Sequence, residues 1–166
     1  MCSSNCWLTL GALLAGLAVA AGAFAAHGLD RRFYVVYAGK THEKKVTLNG
    51  QVTVVAQIPL AQKFLADFKT GAEYQMYHGL ALLAVGLLTQ IRRSRWLTIS
   101  GVCFVAGCLG FSGGLYAYSL TSQVWIGQFI VPLGGLLFLA GWATLVAAVC
   151  RCPRAANGDQ RVSSSQ

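Results

Sequence analysis

The chain has 166 residues, 55% of them hydrophobic and only 11% charged, with 19 glycines and a mean hydropathy of +0.56. So few charges argue against a water-soluble domain and make a bilayer the expected solvent. The net charge of +8 does not indicate nucleic acid, because the basic residues are scattered around helix ends instead of gathered on one face.

The first uncharged run, Trp7 to Ala26, meets the roughly 20 apolar residues that a spanning helix needs. It repeats small residues at every fourth position, Ala18, Gly22 and Ala26 on one stripe and Gly11 with Ala15 on another. Such stripes let helix backbones touch in lipid. Met1 to Ala26 is not read as a cleaved leader, because it lacks a basic n-region and its apolar run is long.

Between Asp30 and Lys69 the character changes. Phe33 to Tyr37 and Val46 to Val55 are rich in β-branched and aromatic residues, and Asn49-Gly50 supplies a two-residue turn, so a cap of two or three strands is expected. In that register Leu48 pairs with Gln51 and Thr47 with Val52. The faces do not separate into apolar and polar, so the cap is expected to rest on the bundle or on a partner. After Pro59, Leu60, Phe64 and Phe68 recur at every fourth position, giving an amphipathic helix expected to lie at the membrane interface, with Gly71 bending it into the next span.

A second apolar run follows to Ile91, and a third, Trp96 to Cys150, contains no ionisable Asp, Glu, Lys, Arg or His. The third is too long for one crossing, and SLTSQ at Ser119 to Gln123 is the natural turn. The fold expected is therefore an all-α membrane protein: a four-transmembrane-helix bundle with spans near 7–26, 72–91, 96–118 and 124–148, and an extracytoplasmic loop 30–70 holding the hairpin and amphipathic helix. Residues 1–150 form one domain, and the polar tail 151–166 is expected to be disordered and cytoplasmic.

Basic residues number seven in the first loop and six on the other side. The cluster Arg92, Arg93 and Arg95, squeezed between two helices, decides the orientation, with Arg151 and Arg154 on the same side and both termini cytoplasmic. The six cysteines, Cys2, Cys6, Cys103, Cys108, Cys150 and Cys152, lack the CxxC spacing of a zinc site and are read as small apolar or free thiols. No metal and no cofactor is expected.

Folding up this topology gathers the polar intramembrane groups in one leaflet: His27, Glu73, Tyr74, Gln75, His78, Ser112 and Tyr116. Ionisable groups in a span are by default a hint of a site, so these seven are the ligand-binding candidates. For the histidines the alternatives are interhelical hydrogen bonding, an ion or solute site, and metal ligation, of which bonding asks least. Glu73 either sits in headgroup water or pairs with a buried cation or with Arg31 or Arg32. Gly22, Gly110, Gly113, Gly114, Gly134 and Gly135 are the expected helix-packing positions, with Gly113 and Gly114 packing helix three on helix one, and Pro132 opens the first turns of helix four.

Four motifs in order, GAFAAHGL at Gly22 to Leu29, EYQMYHGLALL at Glu73 to Leu83, FSGGLY at Phe111 to Tyr116 and VPLGGLLFLAGW at Val131 to Trp142, resemble the small four-helix membrane proteins of domain of unknown function 423. The resemblance runs from helix one to helix four and implies a bacterial inner membrane, but no reaction. The chain departs from that pattern at Ala25, where glycine is usual, at Gly114, where serine is usual, and in a longer first loop. HExxH and paired carboxylates in the spans are lacking. The expected role is thus a non-enzymatic structural or interaction module in contact with lipid and, through loop 30–70, with a second copy or a membrane-protein partner. Binding or transport of a small solute or ion by the polar cluster is the alternative.

Overall fold

A computed structural model describes residues 4–48 and 50–150. The tail 151–166, with Arg151, Cys152 and Arg154, lies outside the described residues, as do Cys2 and Asn49. In chain order the elements are α1 (Ser4–Phe24), α2 (Asp30–Val36), β1 (Thr41–Leu48), β2 (Gln51–Pro59), α3 (Leu60–Ile91), α4 (Arg95–Gly107), α5 (Gly113–Thr121) and α6 (Val131–Cys150). Single π turns join α1 to α2 at Ala25–Leu29 and α4 to α5 at Cys108–Ser112, and another leads into α6 at Ile126–Ile130. The described residues therefore make four long helical rods and one two-stranded antiparallel sheet.

Three rods, Ser4–Val36, Arg95–Thr121 and Ile126–Cys150, are long and apolar enough to cross a membrane. The 72–91 segment is not among them. It is the second half of α3, where Glu73, Tyr74, Gln75 and His78 lower the hydropathy. Leu13, Leu17, Leu87, Leu109, Leu136 and Leu139, each more than half exposed, face outward from the rods. So much outward leucine suits hydrocarbon and not water.

Two expectations are corrected here. Phe33 to Tyr37 is not a strand: Phe33 to Val36 belong to α2, which prolongs the first rod past His27. The π turn allows this, because its wider turn keeps Ala25, Leu29 and Phe33, spaced by four, on the buried side. Nor does the amphipathic segment lie flat on a membrane. Gly71 makes no bend, and Leu60 to Lys69 form the first turns of a continuous 32-residue α3. Phe64 and Phe68 are buried against Tyr118 and Tyr116, at centroid distances of 5.3 and 4.5 Å, so packing against rods on the same chain outcompetes the interface.

The hairpin has the register read from the sequence, Leu48 opposite Gln51 and Thr47 opposite Val52, with Gly50 at φ 78°. Its strands are longer than expected and reach Thr41 and Pro59, with an irregularity between Lys44 and Lys45. It does not rest on the bundle along its length, since almost every residue of both strands is exposed. The base is pinned where the Leu60 amide donates to the Lys40 carbonyl at 2.9 Å.

The rods pair as α1 with α3 and α4 with α6. At the first seam a Cβ on Gly79 would stand 2.9 Å from the Ala15 amide nitrogen, and one on Gly11 would stand 2.8 Å from the Gly79 carbonyl oxygen. At the second, Gly134 lies on the backbone of Gly110 and Phe111, while the Phe138 ring fills the space beside Gly107 and the Phe104 ring that beside Gly141. Gly114 faces Val131, which corrects the expected packing of helix three on helix one: its partner is α6. Gly22 meets nothing within 4 Å, because the α1 seam runs through Gly11 and Ala15 and turns the other stripe away. Gly113 and Gly135 have only ordinary contacts, at 3.8 and 3.7 Å.

The ends are fastened by polar groups. Ser94 caps α4 by accepting the Trp96 amide at 3.3 Å. The Arg92 guanidinium donates to the Ala148 carbonyl, tying the end of α3 to the last turn of α6, where a cation also suits the helix dipole. Ser122 ends α5 in the left-handed conformation at φ 58°, its amide bonded to the Tyr118 carbonyl. Pro132, lacking an N–H, follows the π turn Ile126–Ile130, which supplies the wider geometry a proline there requires.

The seams make a direct prediction. Gly79→Ala and Gly134→Ala each add a methyl against backbone and are expected to cost about 1–3 kcal/mol of unfolding free energy. Gly22→Ala should stay within about 0.5 kcal/mol of wild type. Denaturation of the three variants in one detergent, followed by far-UV circular dichroism, checks the contrast.

Candidate functional site

The seven candidate residues do not form one cluster. Gln75 is buried on α3 and spans three rods: its amide nitrogen donates to the Leu14 carbonyl at 2.9 Å, and its amide oxygen accepts the Tyr116 hydroxyl at 3.1 Å. The close α1–α3 seam is what brings Leu14 within reach.

His78, one turn on, belongs to a second node. Its Nδ1 lies 2.7 Å from the Tyr74 carbonyl oxygen, which can only accept, so Nδ1 carries the proton. Nε2 then offers a lone pair, and Trp142 Nε1–H donates to it at 3.2 Å. The imidazole stacks on the Phe138 ring at a centroid distance of 3.4 Å and an interplanar angle of 5°. Both nitrogens are thus engaged by a neutral ring in an aromatic sandwich that Tyr74 extends at 6.1 Å. A metal or a second proton at Nε2 would have to displace Trp142.

Ser112 is fully buried in the π turn Cys108–Ser112, and its hydroxyl has no hydrogen-bond partner among the described residues. His27 and Glu73 are exposed and stand apart from these nodes. His27 sits on the outer side of the π turn, since the buried side there is held by Ala25 and Leu29. Glu73 makes no ion pair with Arg31 or Arg32; it lines a shallow cleft of about 310 Å3 with Lys69, Ala18 and Gly22. Among the described residues no group of three potential metal ligands occurs.

Sequence reasoning missed several bonded residues. Trp142 stood inside a quoted motif, but nothing in its spacing gives the direction of its indole N–H. Ser100, fully buried on α4, donates to the Gly141 carbonyl at 2.9 Å and joins α4 to α6. Tyr37 and Ser122 are hydrogen-bonded at 2.8 Å, tying the end of the first rod to the end of the third. Lys63 was visible only as the polar side of an amphipathic helix. Its ammonium donates to Asp67 at 2.7 Å and to the Tyr118 hydroxyl at 3.2 Å, and lies 4.7 Å from the Tyr118 ring centroid. Burial opposes the charge, but the bonds to Asp67 and Tyr118 outweigh it and hold the Lys63 pKa above the ordinary lysine value.

Two predictions follow from these bonds. His78→Phe keeps the stack on Phe138 but strands the Trp142 N–H, an expected loss of about 1 kcal/mol, whereas His78→Ala also opens a cavity and should lose about 2–5 kcal/mol; equilibrium unfolding in detergent separates the two. Because the folded-state pKa of Lys63 is raised, its stabilisation is complete below roughly pH 10.4 and is lost as pH rises through the folded value. Wild type should therefore lose more thermal stability than Lys63→Met between neutral pH and pH 11, as read by a melting curve at each pH.

Comparison with known proteins gives the family. A family model described as "Protein of unknown function (DUF423)" matches residues 21–135. A UPF0382 membrane protein of Staphylococcus epidermidis is 36% identical over 150 residues, covering 87% of this chain and 95% of that one. One from Haemophilus influenzae is 37% identical over 144 residues, covering 85% and 90%, and the UPF0382 inner membrane protein YgdD of Escherichia coli is 32% identical over 126 residues, covering 76% and 95%. No solved structure matches. With more than half its length inside the family model and relatives matched almost end to end, the chain belongs to the DUF423 (UPF0382) family of membrane proteins.

Proposed function

We propose that this chain is an integral membrane protein with four crossings and a non-enzymatic role, a bundle that anchors and presents the Thr41–Pro59 hairpin to a membrane-protein partner or to a second copy. The observation that carries this is how the polar groups are spent. Gln75, Tyr116, His78, Trp142 and Ser100 bond rod to rod, while the hairpin stands exposed, with neither outer strand edge paired among the described residues. Open strand edges invite pairing with another chain. In this reading α3 is the fourth crossing: its polar residues are buried toward the bundle at Gln75 and His78, and its outward residues there include Leu80 and Leu87.

The inner-membrane wording of the Escherichia coli relative supports the same location for this chain. The charge of the Arg92 to Arg95 turn supports cytoplasmic termini and an extracytoplasmic hairpin. A photo-crosslinker at Val52 of the hairpin, compared with one at lipid-facing Leu87, tests the role in intact membranes. A discrete adduct, whether a second copy or another membrane protein, is expected from Val52 alone; equal lipid-only labelling from both positions would refute it.

A second reading, small-solute binding by the polar cluster, has one observation in its favour: the buried Ser112 hydroxyl, without a hydrogen-bond partner among the described residues. Native mass spectrometry of wild type beside Ser112→Ala decides it. A stoichiometric adduct lost in the variant would favour a solute; bare protein in both would leave the anchor reading.

A further inference from the structure

Between the first turns of α3, the end of α5 and the segment leading into α6 lies a cleft of about 580 Å3. Its depth in the bilayer follows from helix geometry. From Trp96 to Tyr118 the third rod rises about 33 Å, which is the hydrocarbon thickness plus a few ångström. Tyr118, which lines the cleft, is therefore at headgroup level. Trp125 and Phe129, 55% and 64% exposed, flank the same end as an aromatic belt would. This placement rests on the four-crossing arrangement proposed above, not on which side the termini occupy.

The walls are divided in kind. Leu60, Phe64 and Val124 are apolar, while Lys63 and Asp67 present an ammonium and a carboxylate side by side. Both side chains are largely covered, with 22% and 28% of their surface exposed. A cation alone would select an anion. A fixed pair of opposite charges with no net charge instead complements a ligand that itself carries both signs a few ångström apart. Each group has capacity left for one: Lys63 gives two of its three N–H donors, to Asp67 and Tyr118, and Asp67 accepts Lys63 through only one of its two oxygens. The Tyr118 phenol and the His42 imidazole, from the base of the hairpin, complete the titratable side chains on the lining.

We propose that this cleft binds a zwitterionic phosphate ester bearing a primary amine, as in an ethanolamine phospholipid headgroup, with the phosphate on Lys63 and the ammonium on Asp67. The amine is primary because a carboxylate bonds N–H groups, which a quaternary amine lacks. The rings that could cage a quaternary amine, Phe64 and Tyr118, already carry the Lys63 ammonium at 5.3 and 4.7 Å. Where the source is a lipid, its acyl chains descend past the exposed Val124 and Phe129.

The test uses the full chain reconstituted into liposomes holding equal parts of phosphatidylethanolamine, phosphatidylglycerol and phosphatidylcholine with identical acyl chains, then extracted gently for native mass spectrometry. Wild type should retain phosphatidylethanolamine about tenfold over either other lipid, a factor of ten being about 1.4 kcal/mol. Lys63→Met and Asp67→Asn should each abolish the preference. The double exchange Lys63→Asp with Asp67→Lys preserves an i,i+4 ion pair, and with it the fold, but reverses the dipole, and should abolish it as well. Displacement of the lipid by millimolar glycerophosphoethanolamine would identify the headgroup alone as the ligand; resistance would identify the lipid. Equal retention of all three lipids by wild type, or an undiminished preference in the double exchange, would overturn the proposal. Failure of wild type to co-float with liposomes would overturn the membrane arrangement and this site with it.

Discussion

The contact on which the rest depends is that between Gly11 on α1 and Gly79 on α3, where the two backbones meet with no side chain between them. In lipid there is no solvent gain from pressing apolar faces together, so association has to come from dispersion at close range and from interhelical hydrogen bonds. The glycine contact supplies the first and makes the second geometrically available, since it brings the Leu14 carbonyl to Gln75. Gln75 in turn holds the Tyr116 hydroxyl, so one backbone contact between two rods fixes where the third stands. The α4–α6 seam repeats the device with Gly110 against Gly134, and each neighbouring glycine admits a phenyl ring from the opposite rod. The polar residues that looked out of place in the spans are then the fasteners of a bundle whose faces are otherwise interchangeable.

That logic explains which features could be read from sequence. The apolar runs, the turn at Ser122 and the hairpin register follow from local rules, because span length, turn residues and the period of two are written within a few positions. The direction of Phe33 to Tyr37 is not. β-Branched and aromatic residues favour strands only when a pleated neighbour receives them, and here Phe33 and Tyr37 find Phe64 on α3 instead, at 6.5 and 4.9 Å. The amphipathic segment 60–68 failed for the same reason: its apolar face matched a membrane surface as well as a neighbouring rod, and periodicity carries no information on which is nearer.

The candidate site was legible as a list and illegible as an arrangement. Tyr74, Gln75 and His78 share a helix face by spacing, and Gln75 does reach Tyr116. Helical spacing cannot show that an added π-turn residue swings His27 outward, or that Glu73 faces a shallow cleft instead of the polar nodes. Nor does it show the partner that engages His78, because Trp142 lies on another rod. Small-residue stripes were ambiguous in kind: Gly22 and Gly11 look alike in sequence, and only the choice of seam separates them.

The π turns carry one further implication, for how such a chain can change over descent. A π turn accommodates one residue more than the α ladder would at that point, so each of the three is a place where one residue can be lost without rephasing the rod. Removing a residue from the regular part of a rod would rotate everything beyond it by about 100°, whereas removing one at Ala25–Leu29 restores the α ladder and keeps Phe33 and Tyr37 in phase with Phe64. Replacement of a residue leaves that phase intact. Elsewhere the rods should tolerate altered letters far better than an altered number of letters, while further gains and losses of length accumulate in the hairpin, whose described strand residues are almost all exposed.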